Sequence, residues 1–562
     1  MGLLAVDDWQ TRLGFLSLGM LSGFGVHHGI FIHGEWHIRA PQILLVHGCT
    51  FLYIILARNL TNGTDLPPLF EALCVIMYGY VLGLMVSIAV YRIFFHRLTK
   101  AGFPGPRLAR VSKLWHVWAC RTSKNHRVLY NLHKQYGDFV RTGPSEIAVF
   151  HPDVFMATDG PHSECIKSEW YDLLVPDLAL NTARDKTLHA GRRRQWNRGF
   201  TSKPLYFHEQ RVLKHIEVVD ECIEAEAKAE EVSHMKDLLY WFAFDAMGDF
   251  VLSKPFGMLK SKNWHYIVTR LRRASSLLGP LGPAPWLVQI GLKLGPSVSV
   301  IRDWRKTAEW CRREVRDRIA DKSRQLEKDL IHYVMMEGDE DETVFKNAIT
   351  WLNGDSLQAI VAGSAPIANT LLGLLTELGR APVHAQKIYE ELNNVEDISN
   401  VKALTALTHL NACITETLRI YPALVTGGQR KSTENGVTVA GTFIPPHTTI
   451  VSPQWVIARR EDCFARAEEF IPERWTSAPE LVLNHAATTP FGTGKYSCLG
   501  RHLALDTIRL LLARLVKKYT FRFAPGEDGS GMGKGLRDHF ITNPAGLNLC
   551  FELRKSEKAE ML

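Results

Sequence analysis

Hydrophobic and polar positions divide this chain near residue 100. Before that point three apolar stretches follow one another, Leu13 to Ile32, Gln42 to Ala57 and Leu69 to Phe95. Within the third, Ala72 to Tyr91 carries no charge, and a bilayer crossing needs about 20 such residues. The pattern predicts a membrane anchor over 1–100 with up to three transmembrane helices, at about 13–32, 42–57 and 72–95. A single crossing at the third stretch, with the first two as a shallow hairpin, is the alternative. No basic region precedes the first stretch, which argues against a cleaved signal peptide. Arg92, His96, Arg97 and Lys100 close the third stretch, so its C-terminal end is expected in the cytosol. Three crossings then put the loop around His33, Glu35 and Arg39 in the cytosol. They put the 58–68 loop, with sequons at Asn59 and Asn62, in the lumen.

Gly102-Phe103-Pro104-Gly105-Pro106 interrupts any helix leaving the anchor and marks a domain boundary. Residues 101–554 read as one mainly α domain, followed by a short tail at 555–562. Helical spacing of apolar residues runs through Tyr206–Glu231, Asp303–Lys328, Asp355–Arg380 and His409–Tyr421. Strand-like runs are short: Phe139–Arg141, Ile147–Phe150, Val437–Val439 and Leu547–Glu552.

Composition narrows the class. With 562 residues and 46% hydrophobic content the chain can bury a large core. A net charge of +8 is too weak to argue for nucleic acid, and it suits an acidic partner or an anionic membrane surface. Ten cysteines without a C-x-x-C pair look like reduced thiols facing the cytosol.

The chemistry concentrates in Pro490-Phe491-Gly492-Thr493-Gly494-Lys495-Tyr496-Ser497-Cys498-Leu499-Gly500. This Gly-rich loop delivers a cysteine immediately before an amphipathic helix, Leu503–Tyr519. Its glycines allow close backbone approach to a flat cofactor, and its N–H groups can stabilise a thiolate. On its own such a cysteine is usually structural.

The loop resembles the haem-binding loop of the cytochrome P450 superfamily, F-x-x-G-x-[RH]-x-C-x-G, through Phe491, Gly494, Cys498 and Gly500. Glu416-Thr417-Leu418-Arg419 resembles the family's E-x-x-R helix, and Pro472-Glu473-Arg474-Trp475 its P-E-R segment. The resemblance covers the chain from about Pro104 onward. It implies the mainly α P450 fold with small β-sheets, haem b on the Cys498 thiolate as the axial iron ligand, and a buried charge network of Glu416, Arg419 and Arg474. It also implies haem contacts at Phe491, Gly494, Tyr496 and Gly500. Aligning Arg192-Arg193-Arg194-Gln195-Trp196 on the family's C helix brings His189 and Arg193 to the haem edge, with Arg430 as a second propionate partner. A basic proximal face including Lys495 and Arg501 would dock an acidic electron donor. NADPH-cytochrome P450 reductase, and cytochrome b5 as a second donor, are the partners so implied, with an endoplasmic reticulum membrane location.

Two positions depart from the family. Tyr496 stands where Arg or His meets a propionate. The oxygen-handling helix, usually [AG]-G-x-[DE]-T, reads Ala362-Gly363-Ser364-Ala365-Pro366 and lacks both acid and alcohol. Thiolate ligation favours O–O cleavage, which also consumes protons. Pro366 has no N–H, so a kink and a free Ala362 carbonyl are expected, with water, Ser364 or a substrate hydroxyl as the relay. The main expectation is a monooxygenase; a haem-thiolate isomerase or dehydratase is the alternative, and a haem binder without catalysis the third reading. The apolar N-terminus, His27-His28-Gly29 and Gly34-Glu35-Trp36-His37 resemble fungal natural-product P450s of the tryprostatin hydroxylase type. That implies a bulky apolar substrate, with Ala359, Ile360, Gly363, Leu424, Val425 and Thr426 as expected pocket residues. Leu277–Pro296, centred on Trp286, is expected to form a lid over the substrate channel.

Overall fold

The computed structural model describes residues 9–60, 68–175, 177–297, 299–321, 328–335 and 342–554. The tail at 555–562 and the sequon at Asn62 lie outside them, as does the side chain of Asn59.

Each N-terminal apolar stretch is a helix. They are α1 (Trp9–Val26), α2 (Ala40–Leu60) and α3 (Pro68–Val90), and five-residue π-helical turns continue α1 to Phe31 and α3 to Phe95. Helices α1 and α3 run parallel in tight contact. A Cβ on Gly19 would lie 2.1 Å from the Ile76 carbonyl oxygen, and one on Gly83 would lie 2.3 Å from that of Met20. Only glycine permits such backbone approach, which is how apolar helices associate where the hydrophobic effect is absent. Cross-helix hydrogen bonds satisfy the polar side chains, His27 with Ser87 at 2.8 Å and His47 with Tyr80 at 3.1 Å. Because α2 returns antiparallel between them, the 32–39 loop and the start of the domain that follows lie at the same end of the three-helix group. Phe70–Lys100 is long and apolar enough to cross a membrane; Ile349–Arg380 also is, but it is a buried core helix.

Beyond the Gly102–Pro106 break the chain is mainly helical. The elements that carry the site are α4 (Lys186–Arg198), α5 (Ser202–Lys228), α6 (Met235–Leu252), α7 (Pro285–Leu294), α8 (Ser299–Ala320), α9 (Glu342–Arg380), α10 (Pro382–Asn393), α11 (Thr408–Ile420) and α12 (Arg501–Lys518). Leu371, Leu372, Leu374 and Leu375 of α9 and Leu510 to Leu512 of α12 are buried in one core with most of α6. The expected helix over 355–380 starts earlier, at Glu342, and its hydrogen bonding continues on both sides of Pro366. Burial on all faces sustains that helix where local propensity would weaken it. The segment expected as one lid, Leu277–Pro296, forms a short helix Leu278–Leu281 and then α7, which packs against α2.

A five-stranded sheet has the order β1 (Phe139–Gly143), β2 (Glu146–Val149), β5 (Thr449–Val451), β4 (Gln429–Lys431), β3 (Ile166–Lys167). Only β2 and β5 pair in parallel. The register of β3 on β4 sets Lys167 directly opposite Arg430, and both side chains are buried. The expected strand Val437–Val439 pairs with Thr442–Ile444, and the C-terminal strand runs Asn548–Leu553.

Candidate active site

The cysteine loop is held by its own backbone. Gly492 and Gly494 adopt φ +65° and +60°, a left-handed conformation that disfavours other residues. A Cβ on Gly494 would sit 1.8 Å from the Asp159 carbonyl oxygen. The Cys498 N–H donates to the Phe491 carbonyl at 2.8 Å, closing the loop. Cys498 retains exposed surface, yet burial pushes its thiol up, while the Gly500 N–H and Arg193 act the other way. Metal coordination deprotonates such a thiol outright.

Arg193 donates to the Lys495 and Ser497 carbonyls at 3.0 and 2.8 Å and to the Ser497 hydroxyl at 3.1 Å. It therefore clamps the loop from α4. Its neighbour Arg192 is buried and pairs with Asp355 of α9 at 2.6 Å. Of this run only Arg194 is fully exposed, so the basic face is narrower than its charge count suggests.

Beside the loop lies a cation cluster short of anions. Arg430 reaches Asp159 at 2.5 Å and the Tyr171 hydroxyl at 3.0 Å, with its guanidinium 4.6 Å from the Tyr496 ring centre. The Lys167 ammonium is 5.0 Å from the same ring and donates to the Leu180 carbonyl at 3.0 Å. Burial, with Arg430 and Arg193 nearby, lowers Lys167 to about 6. His189 packs edge-on to Tyr496, and burial with Lys167 and Arg193 holds its imidazole neutral, at about 3. The Tyr496 hydroxyl is buried and has no partner. Like charges directly opposite across strands are destabilising. A carboxylate-bearing group placed here would pair with Lys167, share Arg430 with Asp159 and give the orphaned phenol a partner. These donors therefore fit the carboxylates of a group held on Cys498 of the same loop.

Behind the loop, Glu416 accepts from Arg419 at 2.7 and 2.9 Å, from Arg474 at 2.9 Å, from Trp475 Nε1 at 2.8 Å and from the Ile471 N–H at 3.1 Å. All three charged side chains are fully buried. The guanidiniums spend their remaining donors on the carbonyls of Ala458, Ala467, Ala465 and Leu481, which pins the 458–481 segment.

Residues 104–551 match the Cytochrome P450 family. The chain belongs to the cytochrome P450 family. Among curated proteins it is 35% identical to cytochrome P450 monooxygenase orf5 of Eupenicillium brefeldianum, over 85% of this chain and 96% of that one. It is 32% identical to tryprostatin B 6-hydroxylase of Aspergillus fumigatus over 94% of each chain. It is 33% identical to cytochrome P450 monooxygenase phqL of Penicillium fellutanum, over 98% and 97%. The chain is a P450 monooxygenase, and haem on a cysteine thiolate is its cofactor.

The expected pocket residues of this P450 separate. Ala362 of α9 is exposed, whereas Ile360 is 2% exposed and packs in the core. A Cβ on Gly363 would meet the Met247 side chain at 2.4 Å, so that face of α9 lies against α6. Ala359 is also buried. Ser364 requires a correction. Its hydroxyl donates to the Ile360 carbonyl at 2.6 Å and the residue has no exposed surface, so it does not reach a distal cleft. Val425 is buried among Leu129, Phe150 and Trp455, while Leu424 and Thr426 are half-buried. Thr426 donates to Asp538 at 3.2 Å, beside a small cavity lined by Trp170, Gln429 and Phe540. Sequence reasoning missed Lys167, Tyr171, Asp159 and Asp538. Lys167 and Asp538 lie in strands of two and three residues, Tyr171 and Asp159 in six-residue helices, all too short for a periodic signal.

Proposed function

We propose that this P450 oxidises a bulky apolar natural product by hydroxylation, epoxidation or oxidative rearrangement, using O2 and electrons from NADPH-cytochrome P450 reductase. Residues 1–100 anchor it in the endoplasmic reticulum membrane, with residues 101–554 as the cytosolic haem domain. The observation that carries the reading is Cys498, exposed on its glycine-rich loop, beside the buried cluster of Lys167, Arg430 and Tyr496. When bound, the haem supplies oxygen activation and oxygen insertion into substrate. Lys167, Arg430 and the Tyr496 hydroxyl would hold its carboxylates, and Arg193 and the Gly500 N–H would tune the sulfur.

Proton delivery falls to groups other than the usual pair. Ala365 and Pro366 carry neither acid nor hydroxyl, and Ser364 is bonded into its own helix. Pro366 leaves the Ala362 carbonyl without its helical donor, and that oxygen can hold a water or a substrate hydroxyl. The same loss favours a second reading, a haem-thiolate isomerase or dehydratase. Membranes carrying the enzyme and a P450 reductase, incubated with NADPH and extracts of the producing organism, should yield a metabolite heavier by oxygen. Conversion that proceeds equally without NADPH and O2 would establish the second reading.

A further inference from the structure

The Gly34-Glu35-Trp36-His37 turn between α1 and α2 is docked on the haem domain. Gly34, at φ +76°, turns the chain so that Glu35 and His37 face that domain. Glu35 receives Arg184 at 2.7 and 2.9 Å, and Lys431 at 2.5 Å. His37 Nε2 bonds Asp172 at 2.8 Å, and Arg184 bridges to the same carboxylate at 2.5 Å. Burial raises the Glu35 carboxyl, but hydrogen bonds from Arg184 and Lys431 outweigh it and hold the group at about 2. The two cations already neutralise the two carboxylates, so the cluster needs no metal.

What these contacts grip is the outer side of the site. Lys431 follows Arg430 in β4. The Arg184 Nε donates to the Lys167 carbonyl at 3.1 Å. Asp172 follows Tyr171, whose hydroxyl accepts from Arg430. Trp170, two residues earlier, stacks on Phe540 at 4.1 Å and lines the cavity beside Thr426. From the far side, Gln289 of α7 donates to the Asp172 and Leu173 carbonyls at 2.8 and 2.9 Å, and α7 itself packs on α2. The short segment 166–174 thus has the site on its inner face and the anchor on its outer face.

We infer that the Gly34–His37 turn is a strap by which the anchor sets the haem-carboxylate cage and the adjoining substrate wall, with Glu35 and His37 as positioning residues. The inference rests on the haem reading above for what the cage holds. The docking itself does not depend on that reading.

A zero-length carbodiimide joins a carboxylate to an amine only where they touch, forming an amide with loss of water to the reagent. Applied to the full-length protein in its membranes, it should give a Glu35–Lys431 cross-linked peptide that disappears in Glu35→Gln. Haem transfer to excess apomyoglobin should be roughly 5-fold faster in Glu35→Gln, given several half-exposed charge contacts acting together. Amide exchange over 166–174 should rise in step, and Glu35→Asp should restore both. Lys431→Gln, on the haem-domain side, should repeat the effect should the anchor variant insert poorly. Cross-linking of Lys431 to Glu169 alone would overturn the strap. So would unchanged haem transfer and exchange in Glu35→Gln and Lys431→Gln. A protein that cross-links at Glu35 but binds no haem would instead defeat the haem reading.

Discussion

Replacing Glu416 by Gln tests whether the buried charge network supports the haem loop. The carboxylate takes five hydrogen bonds from four residues, and two fully buried guanidiniums depend on it. The amide can accept from one guanidinium but presents an N–H₂ to the other, leaving a buried cation uncompensated. Breaking a buried pair in this way costs about 3–5 kcal/mol. The matched family region spans residues 104–551. At about 2.1 cal/mol/K per residue, the unfolding entropy of a domain that size is roughly 0.9 kcal/mol/K, so Tm should fall by about 3–5 °C. Thermal melts of the haem-loaded protein read that shift, and the reduced-CO spectrum reports how much protein still binds haem. A double-mutant cycle with Arg474→Met should show coupling, because the second change removes a cation already orphaned. A Tm unchanged within a degree, or strictly additive losses, would refute the network's role.

Other expectations follow from the same geometry. Burial raises Asp538 to about 6, so the folded chain keeps a proton that the unfolded chain releases near pH 4. Stability is therefore highest below the unfolded value and declines as pH rises from about 4 to 6; Asp538→Asn should remove about 3 kcal/mol of that decline in denaturation curves. Lys167 sits at about 6 beside Arg430, so at pH 8 its protonation on haem uptake should offset the proton the Cys498 thiol gives up, and Lys167→Met should release about one proton more than the native chain in an unbuffered titration. Ala365→Asp with Pro366→Thr should improve NADPH coupling for substrate analogues lacking a hydroxyl more than for the native substrate. Acid–base help is typically worth about 10²–10⁴-fold, and equal coupling for all substrates would remove the case for substrate-assisted delivery. Protease added to sealed microsomes should digest the chain after about Gly102; protection of the Cys498 region would contradict a cytosolic haem domain.

Much of this was legible in the residues because the chemistry is local. The Phe491–Gly500 loop, the Glu416/Arg419 pair one helical turn apart and the Pro472–Trp475 segment each announce themselves within a few positions. The three N-terminal helices were legible because an apolar run is itself the signal. What escaped depends on tertiary pairing. Lys167 meets Arg430 only through the register of strands two and three residues long. Ser364 looked available from its place in the oxygen-handling motif, but the helical phase turned it inward, and Gly363 toward Met247. The Gly34–His37 turn stood out in sequence only as a resemblance, and its partners Asp172, Arg184 and Lys431 lie more than a hundred residues away. That contact also changes the expectation for removing residues before Phe103. Haem binding should survive, since its contacts come later in the chain, but with a looser cage.

Cys498 as the iron ligand is the claim everything else depends on. The reduced, carbon-monoxide-treated protein should show the red-shifted Soret band of thiolate-ligated haem. Cys498→Ala should abolish it, while substitution of Cys165, the buried cysteine whose carbonyl accepts from Lys495, should leave it unchanged. A band that survives in Cys498→Ala and disappears when another cysteine is replaced would contradict the account.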